Sequence, residues 1–142
     1  MKTVAERRFD DAAALCHTGI NARANGVAYL AGFVIEILLK AKLVEKFSQI
    51  AGKRQHTLTH NEREIWFLIW KRHDLEDMLS QMTELQAGLK KKGERDNHDY
   101  HGHLKNLCAT WTIQARYSSQ TMRMDEAAEI LERVRTLKEL LK

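Results

Sequence analysis

The stretch of sequence that decides the fold class is residues 27–47, VAYLAGFVIEILLKAKLVEKF. Apolar side chains fill almost every position before Lys40, so the segment has almost no polar face. A helix of this kind is buried among other helices, and we predict that it is the central helix of the molecule. Gly26 and Gly32 carry no side chain, which lets a neighbouring helix approach closely at those two positions.

Amphipathic segments flank this central helix. Before it, Thr3 and Glu6 have the spacing of a capping box, and the pattern predicts a first helix that ends near residues 19–25. After it, residues 48–60 are typical of a polar linker, and Asn61 is expected to cap a helix.

Three further helical faces follow towards the carboxyl end. The apolar positions of residues 75–89 predict a helix that stops at the Lys-Lys-Lys-Gly run of residues 90–93. The next face carries Leu104, Leu107, Cys108, Trp111 and Ala115. The last helix turns Ala127, Ile130, Leu131, Val134, Leu137 and Leu141 inward and Glu129, Glu132, Arg133 and Lys138 outward. We therefore predict an all-α, antiparallel four- to five-helix bundle that forms one domain over residues 1–142.

Composition supports this fold class and narrows the function classes. The 142 residues include no proline and only 7 glycines, which argues against a β-sandwich and against a proline-rich disordered chain. The longest uncharged stretch, residues 24–35, is far shorter than the ~20 apolar residues of a membrane span. Charged residues near the amino terminus do not fit a signal peptide, so we expect a cytoplasmic protein. The formal net charge of +4 permits RNA, nucleotides or an acidic protein as partners.

Three blocks of residues resemble those of a known family. They are Tyr29-Leu30-Ala31-Gly32-Phe33 with Glu36 and Leu39-Lys40-Ala41, His73-Asp74-Leu75 with Met78-Leu79, and Trp111 with Ala115-Arg116-Tyr117. In order and approximate spacing they are similar to the HEPN domains (higher eukaryotes and prokaryotes nucleotide-binding). Two departures stand out, because Ser118 replaces the proline of many relatives and residues 53–72 would be an inserted helical segment.

The resemblance implies a small helical bundle with an RNA- or nucleotide-related role. HEPN domains often occur beside nucleotidyltransferases or in toxin–antitoxin and defence systems. The leading hypothesis is a homodimeric module that binds RNA or a nucleotide-bearing partner such as a nucleotidyltransferase or an antitoxin. The alternatives are a metal-independent ribonuclease toxin and a non-catalytic structural partner subunit.

Six residues are the candidates for ligand binding. Glu36 and Lys40 are four apart in a helix with the acid first, which suits either an ion pair or a ligand site. His73 and Asp74 fit a helix start, where Asp74 would cap and His73 would face a partner. Arg116 and Tyr117 suit phosphate binding and base stacking, or an anchor for the helix end.

The candidate catalytic pair is Arg95 and His101. Catalytic HEPN domains carry an arginine a few residues before a histidine, and paired motifs at a dimer interface are thought to cleave RNA without metal. Arginine can neutralise the scissile phosphate while histidine transfers protons around the 2′-hydroxyl. Arg54 and His60 have the same spacing, and a solvated polar segment is the competing interpretation.

Two other features are judged structural. His98, His101 and His103, with Asp96 and Asp99, are residue types that can bind metal ions. Their spacing does not match a known metal-binding motif, so we predict no metal and no cofactor. The apolar run Trp66, Phe67, Ile69 and Trp70 is rich enough to pack either in the core or on a second copy, which underlies the homodimer hypothesis.

Overall fold

This computed structural model describes residues 1–111 and 122–142, and in that part the chain forms helices and no strand. The α-helices are α1 (Lys2–His17), α2 (Ala24–Lys46), α3 (Ser48–Ala51), α4 (His60–Trp70), α5 (Leu75–Ser80), α6 (Thr83–Asp96), α7 (Tyr100–Thr110) and α8 (Met124–Leu141). Short 3₁₀ turns occupy Asn21–Arg23 and Gln55–Thr57. The prediction of an all-α fold is confirmed for these residues. None of the helices described is both long and apolar enough to cross a membrane.

Helix α2 is the centre of the core, as its continuous apolar pattern predicts. Its side chains from Val34 to Leu39 are all buried, including the charged Glu36. Helices α1 and α8 make the most extensive contacts with it. Helix α1 contributes Ala5, Phe9 and Ala12 to the core. The side chains of α2 that face neither α1 nor α8 are therefore the ones that can reach the other helices and the solvent.

Charged side chains tie α1 to α8. Lys138, predicted to face solvent, is only 6% exposed, and its Nζ donates to Glu6 Oε2 at 2.7 Å. Lys142 forms a second ion pair with Glu6. The capping box predicted at Thr3 is wrong, because α1 follows Met1 without a side-chain cap and the Glu6 carboxylate is used across the helix pair instead.

The linker predicted over residues 48–60 contains α3, and residues 48–58 of it are held against α4. Trp66 Nε1 donates to the Lys53 carbonyl at 3.1 Å, and Trp70 Nε1 donates to the Ala51 carbonyl at 3.2 Å. The cap of α4 is Thr59 rather than Asn61, because Thr59 and Glu62 form a reciprocal capping box.

Helix α6 continues past the stop predicted at residues 90–93 and ends at Asp96, followed by the cap residue Asn97 with a left-handed φ of 52°. Gly93 is needed for a different reason, since a Cβ at that position would lie 2.3 Å from the His98 carbonyl oxygen. The Gly93 carbonyl accepts the backbone N–H groups of Asn97 and His98. The glycine thus allows the chain to turn tightly from α6 into α7.

Candidate functional site

Glu36 joins two other charged or titratable side chains in the middle of α2. Its side chain is 1% exposed, and its Oε1 forms an ion pair with Lys40 Nζ at 2.8 Å. The same oxygen lies 2.7 Å from His73 Nδ1. Three residues predicted as ligand-binding candidates therefore meet at one carboxylate oxygen, and we call them the Glu36 cluster.

Local sequence positions each member of the cluster. Lys40 lies one helical turn after Glu36, which is the favourable order for an ion pair. His73 lies in the turn between α4 and α5, next to Asp74, the cap of α5. Asp74 Oδ1 accepts the Asp77 N–H at 2.9 Å, so the structural role predicted for Asp74 is present. The cap fixes the backbone that carries His73.

The cluster leaves the imidazole of His73 accessible. Its side chain is 44% exposed although Glu36 is buried. An ionised Glu36 accepts the Nδ1 hydrogen, and in a neutral ring Nε2 is then the hydrogen-bond acceptor. Glu36 thus sets the tautomer and the orientation of a histidine that solvent can reach.

Aromatic rings continue the same face of α2 towards its amino end. Tyr29, Glu36 and Lys40 lie in one row, with Gly32 and Phe33 between Tyr29 and Glu36 at spacings of three or four residues from each. The rings of Tyr29 and Phe33 are stacked, with centroids 6.4 Å apart and an interplanar angle of 9°. We call this row the α2 face.

Trp111 lies directly on Gly32. A Cβ on Gly32 would stand 1.9 Å from Trp111 Cδ1, so only glycine allows the indole to pack there. A close approach at this glycine is as predicted, although the group that approaches is the indole of Trp111, just after α7, rather than a helix. The ring of Trp111 is 6.2 Å from that of Tyr29, with an interplanar angle of 35°.

A cavity of about 300 Å³ opens beside these rings, between α2, α7 and α8. The described residues that line it are Asn25, Ala28, Tyr29, Gly32, Asn106, Leu107, Thr110, Trp111, Met122, Ile130 and Arg133. Arg133 is exposed and forms no ion pair with another described residue.

No family model, curated protein or solved structure matches this chain.

His101 and Arg95, the candidate catalytic pair, have different surroundings. His101 Nε2 lies 2.9 Å from Gln86 Oε1. Burial, with the nearby charges of Lys90 and Lys105, lowers the pKa of His101 below its ordinary value of 6.5. His101 and Lys90 line a cleft at the α6–α7 turn, whereas Arg95 is exposed in the last turn of α6 and is not among the lining residues.

The histidines and acids near the α6–α7 turn have other contacts. The rings of His98 and His103 are edge to face, with centroids 5.1 Å apart. Asp96 accepts the Tyr100 hydroxyl at 2.7 Å, and Asp99 caps α7 through the Gly102 N–H. Among the described residues no group of three or more His, Cys, Asp and Glu side chains is placed to hold a metal ion.

Two of the predicted site residues are not described by the structure, and two residues of the site were not predicted. Arg116 and Tyr117 lie outside the described residues. Tyr29 and Arg133 were not predicted as ligand contacts. Tyr29 carried a usable signal, because it is seven residues before Glu36 and therefore on the same helix face. Arg133 carried none, since its position on α8 fits an ordinary solvated charge.

Proposed function

We propose that this chain is a HEPN-like module, a single helical domain whose α2 face binds RNA. One observation carries the proposal: Lys40 and His73 converge on the same oxygen of Glu36, at 2.8 Å and 2.7 Å. Glu36, Lys40 and His73 belong to two of the sequence blocks on which the HEPN resemblance rests. Their contact supports the proposal that these two blocks form one binding site.

The chemistry of the α2 face favours a single-stranded nucleic acid. Proteins that bind such strands combine aromatic stacking surfaces with basic side chains that follow the backbone. Tyr29, 40% exposed, lies at one end of the face. Eleven residues later, about 16 Å along the helix, Lys40 exposes 14% of its side chain beside the 44% exposed His73. The accessible Nε2 of His73 can accept a hydrogen bond from the 2′-hydroxyl that distinguishes RNA from DNA.

A metal-independent endoribonuclease is the second candidate function, and it is favoured by the surroundings of His101. A half-buried imidazole with a lowered pKa, oriented by Gln86, suits a general base near neutral pH. Because Arg95 does not line the cleft of His101, the Arg95 of a second copy would have to complete the site. A homodimer is therefore part of this alternative.

The test is binding of a fluorescently labelled, unstructured RNA oligonucleotide in EDTA, followed by anisotropy. We expect affinity that falls steeply with added salt, because basic side chains on phosphates release counterions. His73→Ala should weaken binding about two- to tenfold, since a hydrogen bond between neutral groups contributes about 0.5–1.5 kcal/mol. Lys71→Ala is the matched control, because Lys71 is exposed in the same turn. This variant should lose little affinity for the RNA.

The RNA recovered from each mixture is then run on a denaturing gel. Intact RNA is expected with the wild-type protein. Cleavage that disappears in His101→Ala would instead establish the ribonuclease. Absence of binding even at low salt would reject the RNA-binding proposal and leave a structural partner subunit, paired with a protein such as a nucleotidyltransferase or an antitoxin.

A further inference from the structure

We propose that the cavity between α2, α7 and α8 is a nucleobase site, which takes one base of a ribonucleotide and places its phosphate on Arg133. This inference rests on the proposed function and names the ligand chemistry of the amino-terminal end of the α2 face. The base would enter beside the rings of Tyr29 and Trp111. The shared chemistry, a base with a ribose phosphate, occurs both in a free nucleotide and in an RNA strand.

The aromatic walls of the cavity are held in place before any ligand arrives. Trp111 is 8% exposed and packs on Gly32, so its ring cannot move towards α2. Phe33 supports Tyr29 by stacking on it, with ring centroids 6.4 Å apart. Stacking on a fixed ring saves the ordering cost that a mobile side chain would add to binding.

The polar groups at the rim match the edge of a base. Asn106 is exposed, and its amide offers both a donor and an acceptor. The hydroxyl of Thr110 donates to the Asn106 carbonyl at 2.9 Å, which leaves the Thr110 oxygen as an acceptor. Few, fixed polar groups in a mostly apolar cavity are typical of small-molecule sites.

Charge and size select the rest of the ligand. Arg133 is the cation of the described lining, which contains no carboxylate, so an anion is preferred over a cation. The planar guanidinium matches the geometry of a phosphate. A volume of about 300 Å³ is at the lower end of known ligand sites and suits one base rather than two.

Calorimetric titration with adenosine 5′-monophosphate, and separately with adenosine, tests the site. We expect the monophosphate to bind more tightly than the nucleoside, and Arg133→Ala to remove that difference. Tyr29→Ala should weaken the binding of both ligands about tenfold, because stacking is lost. Tyr29→Phe keeps the ring and should bind both ligands about as tightly as the wild-type protein does. The matched controls are Val4→Ala, a similarly exposed apolar residue on α1, and Arg135→Ala on α8, and neither should change binding.

A short oligoadenylate RNA, titrated into the same variants, separates the two sources of the base. Tighter binding of the oligomer than of the monophosphate, lost in Tyr29→Ala, places an RNA base in the cavity. Binding of the monophosphate alone means a free nucleotide is the ligand, which retains the site while rejecting RNA binding. Two results would overturn the nucleobase site without contradicting the proposed function. One is RNA binding that is unchanged in Tyr29→Ala and Arg133→Ala, and the other is equal binding of adenosine by all variants.

Discussion

Gly32 determines how deep the α2 face can be. The ring of Trp111 occupies the space in which any other residue would place its Cβ. The indole is rigid and packed, so it cannot withdraw from an added methyl group as a flexible side chain would. The shape of the cavity beside Tyr29 thus depends on a missing side chain.

Gly32→Ala is expected to lower the free energy of unfolding by about 1–3 kcal/mol, the usual cost of overpacking. This loss should exceed the gain in helix propensity, which is about 0.5–1 kcal/mol for glycine to alanine. Gly88→Ala is the control, because no atom lies within 4 Å of a Cβ there, and it should raise stability. Urea unfolding of both variants measures the two changes. A Gly32→Ala protein as stable as the wild type would contradict this account of the packing.

At the scale of helices, the tie between α1 and α8 gives the fold a pH dependence. Hydrogen bonds from Lys138 and then Lys142 hold the pKa of Glu6 below its ordinary value of 4.5. The folded chain therefore binds this proton less readily than the unfolded chain. The contribution to stability is complete above pH 4.5 and is lost as the pH falls through the lowered pKa.

Glu6→Gln should accordingly be less stable than the wild type at neutral pH, and the difference should shrink in acid. Urea unfolding of the two proteins at neutral pH and at pH values below 4.5 measures this. Glu129→Gln, a change at an exposed acid of α8, serves as the control. A difference that stays constant across the pH range would show that Glu6 acts through packing rather than through charge.

Helical periodicity was sufficient to predict most buried positions of α7 and α8, because burial of one face leaves a local pattern, and the continuous apolar run predicted that α2 is central. The buried Lys138 could not be predicted this way, since its partner Glu6 is 132 residues away. The start of α4 was missed by two residues because Thr59 and Asn61 are both good caps, and the reach of Glu62 decides between them. Helix faces are a local property, while charge burial is not.

The same distinction applies to the candidate site. The pairing of Glu36 with Lys40 follows from their spacing in a helix. The approach of His73 to Glu36 joins residues 37 positions apart and depends on how α5 packs on α2. Only the family resemblance placed Glu36 and His73 in one candidate set.

For the whole molecule, we propose a homodimer that uses the outer side of α4. Trp70 is 42% exposed even though its indole N–H is bonded to Ala51, and tryptophan is enriched where proteins meet. Size-exclusion chromatography with light scattering at micromolar concentration should give twice the mass of 16.5 kDa. Trp70→Glu should shift the protein to a monomer, whereas Val4→Glu, at an equally exposed site on α1, should not. A monomeric wild-type protein would refute the homodimer.

The shared oxygen of Glu36 also affects how this sequence can vary. Changing Glu36 alone would leave Lys40 largely buried without its counter-ion and His73 without the group that orients it. Breaking a buried ion pair by removing one partner costs about 3–5 kcal/mol, which is a large part of the stability of a small domain. Substitution of these residues should therefore be concerted, so that a diverged copy of the chain lacking Glu36 would also have replaced Lys40 and His73.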